Sequence, residues 1–138
     1  MKKLKRILLV DDDNATNVYN KYIIGELNCC EIIDSVENGE EALDYLQTKG
    51  DDGHYPQPEL IFLDINMPIM NGWEFLEEYK ELPDDQKASI IIVMLTTSIN
   101  QSDMEKAKQI EHLSDFKSKP LDEDGVKGII KQHFPEYF

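Results

Sequence analysis

Apolar and polar positions divide the chain into short apolar segments and longer segments in which apolar residues recur at helical spacing. Short apolar runs without alternation are typical of strands that are buried on both faces of a sheet. Five segments predict strands, and they cover 7–10, 30–36, 60–64, 89–95 and 115–118.

The intervening segments predict helices, because their apolar residues recur every three to four positions. These helices begin near Ala15 and then cover 40–47, 71–82, 101–111 and 122–132. Asn14 is the predicted N-cap of the first helix. The apolar positions at helical spacing in that helix are Val18, Tyr19, Tyr22, Ile23 and Leu27. The larger aromatic residues, which are expected to be packing residues, are Tyr22, Trp73 and Tyr79.

Strands and helices therefore alternate along the chain, which predicts an α/β fold with a five-stranded parallel sheet and helices on both faces. Right-handed crossovers leave few topologies for such a chain. The flavodoxin-like, doubly wound order 2-1-3-4-5 is one of them, and in it the carboxyl ends of strands one and three flank a switch point. The polar segment 48–59 is long for a connection in this fold and is expected to be a surface excursion.

Charge and cysteine usage restrict the partners and the compartment. The chain has 14 Lys and Arg residues against 28 Asp and Glu, and this net charge of −14 repels nucleic acids and acidic membranes. Proteins and cations are therefore the expected partners. No apolar run approaches the roughly 18 residues of a membrane span, and the adjacent Cys29 and Cys30 are poorly placed for an ordinary disulfide. These features predict a cytoplasmic protein.

Carboxylates follow two of the predicted strands directly. Asp11 and Asp12 come after the first strand, and Asp64 ends the third. The carboxyl ends of parallel strands meet at one edge of a sheet, where ligands bind. Three carboxylates gathered there repel one another, so they need a divalent cation or a shared proton. Because all the ligands offered are oxygen atoms, a hard cation such as Mg²⁺ is favoured, and Mn²⁺ is the expected substitute.

Two further strands bring other chemistry to the same edge. Thr96 follows the fourth strand, and Lys119 follows the fifth. A hydroxyl and an ammonium group that face a metal-bound aspartate suit an anion with several oxygen atoms. A phosphoryl group fits best, with Asp64 as nucleophile, the metal and Lys119 as charge clamps, and Thr96 as hydrogen-bond donor.

These motifs resemble the receiver domain of two-component response regulators. The resemblance is carried by Val10-Asp11-Asp12, by Leu63-Asp64-Ile65-Asn66-Met67-Pro68, and by Thr96 and Lys119-Pro120. It extends from Ile7 to the last helix and implies a single receiver domain over 1–138 with no output domain. The chain looks like a stand-alone receiver, similar in plan to the chemotaxis response regulator.

The resemblance also implies roles for individual residues. Asp64 would accept a phosphoryl group from a histidine kinase or a histidine phosphotransfer protein. Asp11, Asp12 and Asp64 would hold Mg²⁺ together with the main-chain carbonyl of Asn66. Asp13, which follows the acidic pair, is expected to be a surface or helix-capping residue.

Three further roles follow from the same resemblance. Thr96 is the expected switch hydroxyl, Phe116 the expected switch aromatic residue, and Lys119 the phosphate-binding lysine. The peptide bond between Lys119 and Pro120 is expected to be cis. Phosphorylation would then change the interaction with a downstream protein target, which the sequence does not name. The protein would be a signalling phosphoacceptor that catalyses only its own phosphorylation and dephosphorylation.

Two other functions remain open at this point. Asp11-Asp12-Asp13-Asn14-Ala15 superficially resembles the Asp-x-Asp-x-Thr/Val motif of haloacid-dehalogenase-type phosphatases, but Ala15 departs from it and Asp64 would be unexplained. A phosphorylation-independent interaction domain would usually have lost an acidic residue or the lysine, and this chain retains both. The three histidines show no ligand spacing and are expected at the surface: His54, His112 and His133.

Overall fold

The computed structural model describes residues 3–87, 90–97, 100–110 and 113–137. The strands are Leu4–Val10 (β1), Cys30–Val36 (β2), Leu60–Asp64 (β3), Ile91–Thr96 (β4) and Asp115–Ser118 (β5). The helices are Asn14–Glu26 (α1), Gly39–Gln47 (α2), Gly72–Tyr79 (α3), Asp84–Lys87 (α4), Gln101–Lys108 (α5) and Glu123–His133 (α6). A 3-10 turn at Pro135–Tyr137 follows α6.

The five strands form one sheet in the order β2-β1-β3-β4-β5, and every neighbouring pair is parallel. This confirms the predicted flavodoxin-like topology. β1 lies between β2 and β3, and Val10 is paired with Leu63, so that β1 and β3 end side by side. The residues that follow these two strands therefore emerge at the switch point of the sheet.

Apolar side chains of the strands alternate between two cores, one on each face of the sheet. Leu9, Phe62 and Val93 pack on one face with residues of α1 and α6. Leu8 and Ile61 pack on the other face with residues of α2 and α3. All five residues of β3 are buried, as its uninterrupted apolar run predicts.

The first helix is capped by Asp13, which confirms the capping role expected for that residue, and not by Asn14. Asp13 is the N-cap, with extended backbone dihedrals, and its carboxylate accepts hydrogen bonds from Ala15 N (3.1 Å) and Thr16 Oγ1 (2.8 Å). The prediction of Asn14 as the cap is wrong, because Asn14 is already the first residue of α1. Two hydrogen bonds to its carboxylate lower the pKa of Asp13, the bond from Thr16 more than that from Ala15.

The inner face of α1 also differs from the apolar pattern. Asn17 and Asn20 are buried together with Ile23 and Ile24. Three apolar residues expected on the inner face are instead 59%, 49% and 65% exposed: Val18, Tyr19 and Tyr22. These three residues form the α1 patch. The remaining expected positions are confirmed, since Ile23 is buried and Leu27 packs against the core.

The helix ends, the packing of two aromatic residues and the positions of the histidines can be compared with the predictions. α3 ends at Tyr79 rather than 82, and the one-turn α4 follows, which the sequence pattern did not predict. Tyr79 is buried and Trp73 packs partly against the core, as expected. His54 is exposed, whereas His133 is half-buried, with Nε2 4.0 Å from Asp115 Oδ2. β4 begins at Ile91 rather than 89, and α5 ends at Lys108 rather than 111, so both predicted bounds are wrong. Ser89 and Glu111 themselves, and the predicted surface position of His112, lie outside the described ranges.

Candidate functional site

Three carboxylates lie together at the carboxyl ends of β1 and β3. Asp11, Asp12 and Asp64 each offer one oxygen atom, and these atoms lie within 4.8 Å of one another. Asp11 is 4% exposed and Asp64 is 8% exposed, whereas Asp12 faces solvent. A set made only of carboxylate oxygens, open to solvent on one side, fits a hard divalent cation such as Mg²⁺.

The main chain of Asp64 is held by the turn that leads into α3. Gly72 N donates a hydrogen bond to Ile65 O (2.8 Å), and a Cβ at Gly72 would overlap the carbonyl oxygen of Asp64. The helix start itself is fixed by a capping box between Asn71 and Glu74. Gly72 thus allows α3 to begin directly against the backbone of Asp64.

Lys119 connects two of the three carboxylates. Its Nζ lies 2.5 Å from Asp11 Oδ2 and 3.1 Å from Asp64 Oδ1. The lysine comes directly after β5, its main-chain N donates to Thr96 O (2.7 Å), and the Lys119-Pro120 bond is cis, as expected. Burial on its own lowers the pKa of the Lys119 ammonium, but the bonds to Asp11 and Asp64 outweigh that effect and raise it. The ammonium therefore stays charged at neutral pH.

The carboxyl group of Asp64 is poorly accommodated as an anion. Burial raises its pKa most, the negative charge of Asp11 raises it further, and Lys119 opposes both effects only in part. A carboxyl whose pKa is raised on folding binds protons more tightly in the folded state, so stability is lost as pH rises through that pKa. The ionised form of Asp64 thus opposes folding, and a cation bound at this oxygen would relieve that opposition.

The remaining predicted site residues are Thr96, Phe116 and Asn66. Thr96 ends β4, is 5% exposed and lies opposite Ser118 of β5. Phe116 is partly buried against the core on the α2 and α3 side of the sheet. Asn66 is exposed two residues after Asp64, and the contribution of its carbonyl to a metal site stays a prediction.

Sequence reasoning missed Asn17, which contacts this site through the main chain. Asn17 is 2% exposed, and its Nδ2 donates to Asp11 O (2.9 Å). The signal in the sequence is a polar residue six positions after Asp11 and one turn into the predicted helix. The apolar spacing of that helix does not reveal it. Sequence reasoning likewise missed Gly72, whose lack of a side chain is what the close approach to Asp64 requires.

Comparison with known proteins decides the family. The family model described as the response regulator receiver domain matches residues 7–131. The chain belongs to this family. Response regulator Rcp1 of Synechocystis is 35% identical to it over 100 residues, which is 72% of this chain and 67% of that protein. Sporulation initiation phosphotransferase F of Bacillus subtilis is 27% identical, over 95% of this chain and 94% of its own length.

Solved structures agree with this assignment. A two-component response regulator from Cytophaga hutchinsonii has a TM-score of 0.85 at 30% identity, covering 97% of this chain and 99% of that one. The phosphorylated cyanobacterial phytochrome response regulator RcpA has a TM-score of 0.77 at 29% identity, covering 98% and 97%. This receiver domain is therefore a phosphoacceptor of two-component signalling and not a classical enzyme. Among its described residues, no helix is long and apolar enough to cross a membrane.

Proposed function

We propose that Asp64 is the phosphoacceptor and that Mg²⁺ assists the reaction, held by Asp11, Asp12 and Asp64 with the main-chain carbonyl of Asn66. The observation that carries this proposal is the position of Lys119. Its ammonium group lies within 3.1 Å of Asp64 Oδ1 and within 2.5 Å of Asp11 Oδ2. A permanent positive charge thus lies directly beside a buried carboxylate that is poorly stabilised as an anion.

In the proposed reaction, an Oδ atom of Asp64 attacks phosphorus and forms an acyl phosphate, while the bond from phosphorus to the donor atom breaks. Lys119 pairs with the oxygens of the transferred group, and the Thr96 hydroxyl donates to one of them. A bound Mg²⁺ would supply further positive charge against the oxygens of the phosphoryl group, and Mn²⁺ would substitute for it. The protein thereby catalyses its own phosphorylation and, with water as the acceptor, its own dephosphorylation.

Acetyl phosphate tests this proposal without any partner protein. With Mg²⁺ present, the intact mass of the wild type should rise by one phosphoryl group, and no adduct should form in EDTA. Asp64→Asn should remove the adduct, because the amide is a poor nucleophile. Asp44→Asn, an exposed position on α2, is the matched control and should behave like the wild type. Full modification of the wild type in EDTA, or modification of Asp64→Asn at the wild-type rate, would contradict the assignment.

The α1 patch is the surface on which we propose that the phosphodonor docks. Tyr19 and Lys119 line the same cavity of about 400 Å³, so the patch borders the rim of the site. A donor must bring its phosphohistidine into contact with Asp64, and it therefore has to cover this rim. The proposed donor is a histidine kinase or a histidine phosphotransfer protein, and the three exposed apolar side chains supply area that such a contact would bury.

Replacing Val18 and Tyr22 by serine should slow phosphotransfer from the donor protein about 10-fold, the effect of losing ~1.4 kcal/mol of contact. The donor is the histidine kinase that phosphorylates the wild type best in a transfer profile of the source organism's kinases. The reaction with acetyl phosphate should be unchanged, because it needs no docking. Ile32→Ser is the control, since Ile32 is 42% exposed on β2. If the rate fell equally with the kinase and with acetyl phosphate, or did not fall with the kinase, the α1 patch would be excluded as the docking surface.

Thr96 and Phe116 are the proposed switch. When Thr96 turns its hydroxyl toward the phosphoryl group, the space beside β4 changes, and the ring of Phe116 can follow. Phe116 lines a cavity of about 270 Å³ together with Met104, Ala107 and Leu113, so the ring has room to move. A shift between two such packings would change the surface of α5, β5 and α6, which we propose as the contact for the downstream protein target.

Beryllofluoride, which mimics a phosphoryl group on an aspartate, provides the measurement. Amide chemical shifts should change around Asp64 and also throughout the segment 100–128. In Phe116→Ala the changes around Asp64 should persist, while those in 100–128 should shrink, because the ring that transmits them is gone. Shift changes confined to the loops around Asp64 in the wild type would exclude this output surface.

The cytoplasm is the compartment that we propose. Cys29 and Cys30 are both free thiols in the structure, as expected in a reducing environment. Burial, the largest effect, raises the pKa of the Cys30 thiol to about 11, so it is also poorly reactive.

A further inference from the structure

Asn17 is a buried amide that has no role in the phosphoacceptor chemistry described above. It lies on the inner face of α1 and is 2% exposed. Its Nδ2 donates a hydrogen bond to Asp11 O (2.9 Å) and lies 3.5 Å from Val36 O. Its Oδ1 is buried and has no hydrogen-bond partner among the residues that the structure describes.

These contacts hold the backbone of Asp11, the first residue of the acidic pair Asp11-Asp12. The main-chain N of Asp11 donates to Val36 O (3.1 Å), and its carbonyl accepts the bond from Asn17. The carboxylate of Asp11 accepts a bond from Asp13 N at Oδ1 (2.9 Å) and one from Lys119 at Oδ2. Asn17 is therefore the side chain that holds the backbone of Asp11, while other groups hold its carboxylate.

The orientation of the amide is set by its two neighbours. Both nearby atoms are carbonyl oxygens, Asp11 O and Val36 O, and only the NH₂ end of the side chain can donate to them. The opposite end, Oδ1, is consequently buried without a partner in the described part of the chain, which opposes folding. An apolar residue on this inner face would avoid that cost, so what the side chain contributes is its donor group at the start of the acidic loop.

We infer that Asn17 is a positioning residue for the cation site and that it favours Mg²⁺ over Ca²⁺. The inference rests on the proposed function, because it requires that Asp11 and Asp12 bind a cation. Mg²⁺ demands near-ideal octahedral geometry, whereas Ca²⁺ accepts flexible ligand arrangements. A backbone that is clamped at Asp11 presents the adjacent carboxylates of Asp11 and Asp12 at fixed positions. Loosening this clamp should therefore penalise the smaller cation more.

Calorimetric titration of the metal-free protein with Mg²⁺, and separately with Ca²⁺, tests the inference. Asn17→Leu removes the donor while keeping similar volume. Its dissociation constant for Mg²⁺ should rise about 10-fold, the usual cost of losing an outer support of a metal site, and that for Ca²⁺ should rise less. Asn20→Leu is the matched control, because Asn20 is 3% exposed on the next turn of the same face. Its affinities should stay within about 2-fold of the wild type, well below the 10-fold effect.

The rate of phosphorylation by acetyl phosphate separates positioning from loss of structure. At saturating Mg²⁺, Asn17→Leu should recover most of the wild-type rate, since the reacting groups are intact. If Asn17→Leu does not fold, as judged by circular dichroism, Asn17→Ser is titrated in its place. If Asn17→Leu binds Mg²⁺ as tightly as the wild type, or loses affinity equally for Mg²⁺ and Ca²⁺, the inference is overturned while the proposed metal site stands. A wild type that binds no Mg²⁺ overturns the proposed metal site and the inference with it.

Discussion

Gly72→Ala should destabilise the protein by about 2–3 kcal/mol, as expected for a methyl group forced into a filled space. The added Cβ would overlap the carbonyl oxygen of Asp64 and lie 3.2 Å from Ile65 Cα and 3.0 Å from Met94 Cε. Two of these three atoms belong to the backbone, so no side-chain rotation removes the overlap. Because α3 or β3 must shift to make room, phosphorylation of Asp64 should slow as well. Denaturant unfolding, followed through Trp73 fluorescence, gives the change in free energy.

The matched control is Gly128→Ala. Gly128 lies inside α6, and a Cβ there would meet no atom within 4 Å. Alanine has the higher helix propensity, so this variant should gain roughly 0.5–1 kcal/mol. A loss of stability in Gly72→Ala together with a gain in Gly128→Ala would attribute the loss to the close approach of α3 to Asp64. A Gly72→Ala variant as stable as the wild type would show that α3 is not in close contact with the backbone of Asp64.

Asp12→Ala should abolish Mg²⁺-dependent phosphorylation, with at least about 100-fold weaker binding of Mg²⁺. Asp12 is the solvent-exposed member of the carboxylate cluster. Removing it leaves two carboxylates, both within reach of Lys119 and therefore already partly neutralised. Calorimetry gives the Mg²⁺ affinity, and the mass shift with acetyl phosphate gives the extent of reaction.

Asp13→Ala removes the same charge one position away and serves as the control. Asp13 caps α1 through Ala15 N and Thr16 Oγ1, and its carboxylate is not part of the described cluster. The variant should melt at a modestly lower temperature, because a helix cap is lost, while Mg²⁺ affinity changes little. If both variants lost Mg²⁺ to the same extent, the effect would be one of net charge, and Asp12 would not be a specific ligand.

The chemistry of the site was accessible from sequence because it depends on strand ends. In a parallel sheet, residues that follow different strands meet at one edge whatever the details of packing. The positions of Asp11, Asp12 and Asp64 after their apolar runs were therefore enough to predict that they converge. The prediction of the sheet order rested on the same regularity, since alternating strands and helices with right-handed crossovers leave few topologies.

The ends of helices were harder to predict from the sequence, because neighbouring residues are equally suited to begin or end a helix. Asp13 and Asn14 are both good N-caps, and only the path of the chain out of β1 selects Asp13. The end of α3 was placed too far along for a similar reason. Glu81 and Leu82 suit a helix, but after Tyr79 the backbone forms i to i+3 turns, in which Glu81 N donates to Glu78 O and Leu82 N to Tyr79 O. Leu82 still packs against the core from this turn.

What the sequence by itself determined was the fold class, a few strand orders that include the observed one, and the convergence of Asp11, Asp12 and Asp64 at the switch point. What only the tertiary structure decided was which side of α1 faces the core, how close α3 approaches Asp64, and that Lys119 bridges two carboxylates. The physical reason is that strand periodicity and polarity are local properties of the chain. Burial of Asn17 in place of the α1 patch depends instead on the backbone carbonyls of Asp11 and Val36, which the sequence pattern of α1 does not contain.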